Sequence, residues 1–249
     1  MKNHIKTLAI LSALALATSV QAQITYSTGG SLTAWNGTPV YVSLANSALS
    51  GATTGQGDQT ITGTYGLMAE TFTPSSSFTL GSFAVLMGMN NNTDSSYQIN
   101  LYDLGTAGTV SVSSSAATYT LGTSLFSVNN ISGMTSSGGE VQATFTLPVA
   151  DQVTLNANEE YALEIWNPTA DGSAGITWFR GSTADPGGQM FSGGDAVGGA
   201  RNTLAANGQA GGAPRTGALA LYQVPEPASM TLLGLGALVG TLVIRRRKV

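Results

Sequence analysis

The stretch that decides the fold is residues 161–166, which read Tyr-Ala-Leu-Glu-Ile-Trp. Large apolar side chains stand at every second position, at Tyr161, Leu163 and Ile165. Successive side chains of a β-strand point to opposite faces, so strict alternation over six residues is typical of a strand with one face in a core. We expect the other face, which carries Glu164 and Trp166, to lie towards solvent, as one face of an antiparallel sheet usually does.

The same period of two recurs through most of the chain. It is found at residues 83–89, 97–102, 118–128, 141–147, 176–179 and 219–224. Polar turns separate these runs at residues 90–96, 129–140 and 167–175, and a Gly-rich stretch covers residues 185–215. Short strands bounded by turn residues, with no helical stripe between the two ends and no fixed repeat, predict an all-β fold. We expect one antiparallel jelly-roll-type β-sandwich over residues 23–223, with a strand or two at its start and a long loop at 185–215.

Residues 1–22 have the order of parts found in a secretory signal peptide. Lys2 and Lys6 give a positive start, residues 8–17 are apolar, and Val20-Gln21-Ala22 places small residues before a cleavage point at Gln23. The apolar run is too short to cross a bilayer. The sequence therefore predicts export and removal of this segment by signal peptidase.

The last 26 residues, 224–249, form a second distinct segment. It begins with Val224-Pro225-Glu226-Pro227, continues with the uncharged residues 228–244, and closes with a basic cluster made of Arg245, Arg246, Arg247 and Lys248. A helix over 228–244 would rise about 25 Å, near the lower limit for a single transmembrane helix. The basic end would stay in the cytoplasm, which leaves residues 23–224 outside. Hydropathy and charge alone allow either a permanent membrane anchor or a signal that an enzyme reads and cuts.

The sequence Val-Pro-Glu-Pro-Ala-Ser at 224–229, the Leu/Gly-rich span and the terminal arginines together resemble the PEP-CTERM sorting signal of Gram-negative bacteria. The resemblance covers about a tenth of the chain. It implies recognition by an exosortase, a membrane-embedded transpeptidase-like enzyme, with processing close to Pro225-Glu226-Pro227. It also implies transient anchoring in the inner membrane, followed by display on the cell surface or in the matrix of an exopolysaccharide-producing, biofilm-forming bacterium.

Four segments of the domain resemble the jelly-roll ectodomains often attached to such tails. They are Glu70-Thr71-Phe72-Thr73, Leu101-Tyr102-Asp103-Leu104, Tyr161-Ala162-Leu163-Glu164-Ile165 and Trp178-Phe179-Arg180. These ectodomains resemble carbohydrate-binding sandwiches in outline. The resemblance carries no binding residue to this sequence.

The inventory of charged and reactive residues excludes several classes of function. Charged residues make up 9% of the chain, and between 23 and 224 three arginines stand against twelve acids, a formal charge of −9. Such a surface cannot neutralise phosphates, so we expect no nucleic-acid partner. The chain has no cysteine, and its single histidine, His4, and its lysines all lie in the two end segments. The domain therefore lacks a Ser-His-Asp triad, a His/Cys zinc site and a Schiff-base lysine.

Three ligand hypotheses remain for the domain. Glu164 is the candidate carboxylate for a glycosidase, although no second acid is placed beside it by sequence. Trp166, on the face of Glu164, and Trp178 and Trp35 elsewhere are candidates for stacking on sugar rings in a lectin-like module. Loop acids would allow a structural calcium ion, although their spacing matches no calcium loop. They are Asp94, Asp103, Asp151, Asp171, Asp185 and Asp195. Our main expectation is a non-enzymatic envelope or matrix protein without a cofactor, associated with exopolysaccharide.

Overall fold

The computed structural model of the chain describes twelve segments of it. They are residues 24–29, 32–53, 59–60, 67–89, 97–107, 118–120, 122–131, 140–166, 176–181, 188–193, 203–206 and 216–224. The predicted signal peptide and residues 225–249 of the predicted tail lie outside them.

An eight-stranded antiparallel sheet forms one half of the described fold. Its strands are β1 Thr25–Thr28, β2 Tyr41–Val42, β3 Gln59–Thr60, β5 Phe78–Met89, β9 Glu140–Thr146, β10 Val153–Leu155, β12 Ile176–Trp178 and β17 Leu219–Gln223. The long strand β5 is its centre, because β9, β10, β12 and β17 all pair with it.

A seven-stranded antiparallel sheet forms the other half. Its order is β7 Thr118–Thr120, β15 Thr203–Ala206, β14 Met190–Gly193, β4 Leu67–Phe72, β11 Glu159–Trp166, β6 Tyr97–Thr106 and β8 Thr123–Ile131. A separate short pair joins β13 Arg180–Gly181 to β16 Thr216–Gly217. The decisive stretch of the sequence is therefore strand β11, which lies between β4 and β6.

Apolar residues of both sheets meet in one shared core. Phe83 and Phe145 of the eight-stranded sheet stack with ring centroids 4.9 Å apart, and Phe72 and Tyr161 of the seven-stranded sheet stack at 5.6 Å. All four side chains belong to the same buried cluster. Interlocked aromatic rings supply much of the buried area that stabilises such a core.

The eight-stranded sheet also buries its second face. Ala84 and Leu86 of β5 belong to another apolar cluster, which includes Trp35 and Leu49. Leu49 lies on the short helix α1, Asn46–Thr53. A near-continuous apolar run such as residues 83–87 is typical of a strand covered on both faces. In β5 the run arises because alternate side chains pack into the two different clusters.

The structure confirms the all-β antiparallel prediction and corrects four details. The expected strand 118–128 is two strands, β7 and β8, with different partners. The expected turn 129–140 begins later, because β8 continues to Ile131. The expected loop 185–215 contains β14 and β15, which pair with each other through main-chain hydrogen bonds and do not require alternating apolar side chains. The described residues between 24 and 60 hold three strands and α1, where a strand or two was expected.

Candidate functional site

The last described residue, Val224, is still bound to the sheet when the predicted tail begins. Its N–H donates to the carbonyl of Thr79 at 2.9 Å, after a register shift between Tyr222 and Gln223. Its side chain is half-buried. Strand β17 therefore leads into Pro225 with no free linker between the fold and the Pro-Glu-Pro sequence.

A glycine on the neighbouring strand makes this close passage sterically feasible. A Cβ at Gly81 would lie 3.0 Å from Cγ2 and 3.1 Å from the backbone nitrogen of Val224. Those distances are tighter than ordinary van der Waals contact, so a side chain at position 81 pushes Val224 outwards. The glycine thus keeps the start of the tail against the sheet.

We expect Gly81→Ala to loosen the junction without unfolding the domain. The added methyl group would push Val224 away and weaken its hydrogen bond to Thr79. A net hydrogen bond is worth about 1 kcal/mol, so the Val224 amide should exchange with deuterium faster, by up to roughly fivefold. Ser82→Ala, one position on, is the matched control and should leave that exchange rate unchanged. Equal exchange in both variants would show that Gly81 does not hold the tail.

The comparison with known protein families matches residues 223–248 to the PEP-CTERM protein-sorting motif. The match begins at Gln223, in the last strand, and ends at Lys248. Residues 223–248 are a PEP-CTERM sorting motif. This confirms the resemblance seen in the sequence. No curated protein matches the chain.

The PEP-CTERM motif indicates export, transit through the membrane in anchored form, and processing by an exosortase-like membrane enzyme. The sorting motif thus overlaps the last described strand, and Val224 is the point where the described sheet meets the Pro-Glu-Pro sequence. The predicted span 228–244 and the basic end 245–248 lie outside the described residues. In the part of the chain that the structure describes, no helix has the length and hydropathy that a membrane span needs.

Tyr222, two residues before Val224, has a buried hydroxyl with no hydrogen-bond partner in the described structure. Burial raises the pKa of this phenol. A raised folded-state pKa means that the fold favours the protonated form. The associated stability is complete below the unfolded pKa of about 10 and is lost as the pH rises through the folded value.

We expect Tyr222→Phe to reduce the loss of unfolding free energy between pH 9 and pH 11, roughly the range around the ordinary tyrosine pKa. At pH 7 the variant should be as stable as the parent or slightly more stable, because an unpaired buried hydroxyl is removed. Tyr161→Phe is the matched comparison, because the Tyr161 hydroxyl is hydrogen-bonded. Burial raises the pKa of Tyr161 too, but its hydroxyl accepts a hydrogen bond from the Asn156 N–H at 2.7 Å, so this variant should lose stability at pH 7. Urea titrations across that pH range test both, and parallel curves for Tyr222→Phe and the parent would contradict the expectation.

Two of the four predicted ligand residues, Trp178 and Trp35, are buried. Trp178 lies on β12 in the shared core with no exposed surface, and its indole N–H donates to the carbonyl of Ala218 at 3.1 Å. In this structure it therefore offers no ring face to a sugar. Trp35 is buried in the second cluster, where its indole N–H donates to the carbonyl of Leu44 at 2.9 Å.

Glu164 is buried, and the expectation that it points to solvent is wrong. The side-chain amide of Asn100, directly opposite on β6, donates to its Oε2 at 3.2 Å. The alternation of apolar residues in β11 shows that Glu164 faces away from the shared core. It does not show that the opposite face of the sheet is also covered at Glu164. Trp166 pairs in register with Gln98 and Leu67, and its side chain lies outside the described residues.

A hydrogen-bonded row crosses three strands at this point. Gln98 Nε2 donates to Asn100 Oδ1 at 2.8 Å and to Ser127 Oγ at 2.8 Å, and Asn100 continues to Glu164. Ser127 is exposed, Gln98 half-buried, and the last two residues are buried. We call Ser127, Gln98, Asn100 and Glu164 the polar row. It connects an exposed edge of the seven-stranded sheet to a buried carboxylate.

A second buried carboxylate, Glu70, is not among the residues that the sequence predicts for a site. It stands opposite core residue Leu163, and its Oε2 accepts a hydrogen bond from the Gly217 N–H at 2.7 Å. The signal was present in β4, where Glu70 falls between Met68 and Phe72 at an inward position of an apolar alternation. A buried carboxylate is tolerated only when such donors satisfy it.

The structure describes two of the six acids named for calcium. Asp103 Oδ1 accepts from the Gly105 N–H at 2.8 Å, and Asp151 is part of the turn Val149–Asp151. Asp94, Asp171, Asp185 and Asp195 lie outside the described residues. Within the described residues, no three His, Cys, Asp or Glu side chains are grouped so that they could hold a metal ion.

Proposed function

We propose that the chain is the precursor of a non-enzymatic surface or matrix protein of a Gram-negative bacterium, sorted by an exosortase and associated with exopolysaccharide. The observation that carries the proposal is the PEP-CTERM motif, which starts in the strand where the folded domain ends. A domain joined directly to a sorting motif is the part of the precursor that an exosortase-like enzyme would release to the cell surface.

Each part of the tail has a role in this proposal. The Pro225-Glu226-Pro227 segment is the feature that the enzyme reads, because two prolines fix an extended backbone and leave the carboxylate of Glu226 available between them. Residues 228–244 hold the precursor in the inner membrane. The basic cluster 245–248 keeps the end of the chain in the cytoplasm. Signal peptidase removes residues 1–22 at the other end.

Expression in a bacterium with and without an exosortase-like enzyme tests the sorting step. With the enzyme, the ectodomain should leave the membrane fraction and reach the cell surface or medium. Without it, the chain should remain in the inner membrane. Equal distribution in both hosts would leave a plain membrane anchor and contradict the proposal.

A jelly-roll arrangement of the ectodomain is part of the proposal. It is supported by two antiparallel sheets that face each other across a shared core. The absence of catalysis is supported by the residue inventory, since residues 23–224 contain no histidine, lysine or cysteine. An assay of the purified ectodomain for hydrolysis of polysaccharides tests this part, and turnover that is lost in Glu164→Gln would establish the glycosidase alternative instead.

A second candidate function, a lectin-like module, is favoured by the polar row. Gln98 carries an amide held by two acceptors, and Trp166 lies in register directly opposite it. Amide groups beside an aromatic residue are the usual means of binding a pyranose ring. On this proposal the sugar contacts Ser127, Gln98 and Trp166, while Asn100 and Glu164 fix the orientation of the Gln98 amide.

A glycan array with residues 23–224 tests this candidate. Binding should be lost in Trp166→Ala and Gln98→Ala and retained in Thr154→Ala, an exposed position on the other sheet. Retention in all three variants would place the site elsewhere, and no binding to any glycan would count against a lectin.

A further inference from the structure

The first described strand, β1, begins at the same end of the eight-stranded sheet where the last one, β17, finishes. Thr25, at the start of β1, is opposite Thr146, which is opposite Ser82, which in turn is opposite Tyr222 of β17. These four residues form one row across adjacent strands. At about 4.8 Å per strand, the first and last strands of this row are roughly 14 Å apart.

The two segments that the sequence predicts to enter the membrane are therefore attached to one end of the domain. The predicted signal peptide ends at Ala22, two residues before Ile24, and the predicted span begins at Ala228. Between Val224, which is bound to the sheet, and Ala228 there are three residues. Fully extended, they cover at most about 10–11 Å.

That same end carries the most exposed large apolar side chain of the described residues. Leu147 N–H donates to the carbonyl of Gly81 at 2.9 Å, which places the following turn, Val149–Asp151, beside the junction. Val149 is 83% exposed. The described end has no basic residue to attract an anionic bilayer, since the single described arginine, Arg180, is buried elsewhere. Contact with lipid would thus come from the short tether and not from charge.

We propose that this end of the ectodomain rests against the bilayer in the anchored precursor, with the Val149–Asp151 turn at the level of the lipid headgroups. The inference rests on the proposed tail anchoring.

Contact at this end fixes the direction in which the domain points away from the membrane. Glu140, paired with Gly88 at the other end of β9, stands six residues beyond the Thr146 row, about 20 Å further from the membrane. Strand β10 pairs with the start of β5 at Phe78, and the turn 156–158 then leads into β11. Trp166 ends β11 opposite Gln98, so Trp166 and the polar row lie at the far end of the seven-stranded sheet.

A chain without cysteine allows single-site labelling. We would reconstitute full-length Val149→Cys and Glu140→Cys, each with a polarity-sensitive fluorophore, in vesicles of phosphatidylcholine and phosphatidylglycerol that contain a headgroup-attached quencher. Both positions are exposed, so neither substitution disturbs the core. We expect most of the emission from position 149 to be lost and the emission from position 140 to be retained.

A linker variant tests the cause. About twelve Gly/Ser residues inserted between Val224 and Pro225 reach roughly 20 Å, so quenching at position 149 should fall. Quenching that persists with the linker would overturn the tether explanation. Vesicles that float with the protein but show equal quenching at 149 and 140 would overturn the orientation and leave the anchoring intact. A chain that does not float with the vesicles would overturn the anchoring and this inference with it.

Discussion

Replacing Pro225, Glu226 and Pro227 together by alanine is expected to leave the exported chain in the membrane fraction with its C-terminal tail uncut. The signal peptide, fold and span are unchanged, so export and anchoring continue while recognition fails. A hydrogen bond to a charged group is worth about 1.5–3 kcal/mol, so loss of the Glu226 contact alone predicts roughly 10- to 100-fold slower processing. Loss of the two fixed backbone angles adds to this.

Gln223→Ala is the matched control for the motif variant. Gln223 also lies in the PEP-CTERM match, but its side chain is exposed at the end of β17, outside the Pro-Glu-Pro sequence. Immunoblots of membrane and surface fractions over time measure the rate of processing. The control should be processed as fast as the parent. Equal processing of the triple-alanine chain would show that the enzyme reads another feature.

The second large effect is expected at Trp178. Truncation to alanine removes a fully buried indole from the shared core and leaves a cavity, which should lower the free energy of unfolding by about 3–5 kcal/mol. Trp178→Phe retains most of the ring but leaves the carbonyl of Ala218 without its indole donor, for a loss of about 1–3 kcal/mol.

Urea unfolding of the processed ectodomain measures these differences, with Val149→Ala as the exposed control. That variant should lie within about 0.5 kcal/mol of the parent. A Trp178→Ala domain that unfolds at the same urea concentration as the control would mean that Trp178 is not a core residue. The indole of Trp178 would then again be a candidate for stacking on a sugar ring.

The strand pattern could be predicted from the sequence where one side of a strand faces a core. β6, β9, β11 and β17 were found because their apolar residues alternate. β14 and β15 were missed because main-chain pairing forms them and Gly-rich flanks hide them. Helix α1 was missed because its eight residues carry no clear apolar stripe.

The candidate sites could be predicted only where their residues are consecutive in the chain. The sorting motif could be recognised because its parts are consecutive in the chain. The burial of Glu164, the core position of Trp178 and the contact of Glu70 with Gly217 depend on residues far apart in sequence. Gly217, 147 positions from Glu70, approaches closely only because the strand pair β13–β16 packs beside β4. No local pattern contains that information.

If an exosortase-like enzyme cuts the tail, the protein on the cell surface has lost its last residues. Mass spectrometry of the C-terminal peptide of the surface-exposed protein shows where the chain ends. We expect a mature chain that ends at or close to Pro225-Glu226-Pro227. A surface-exposed chain that still carries Arg245 to Val249 would contradict that expectation.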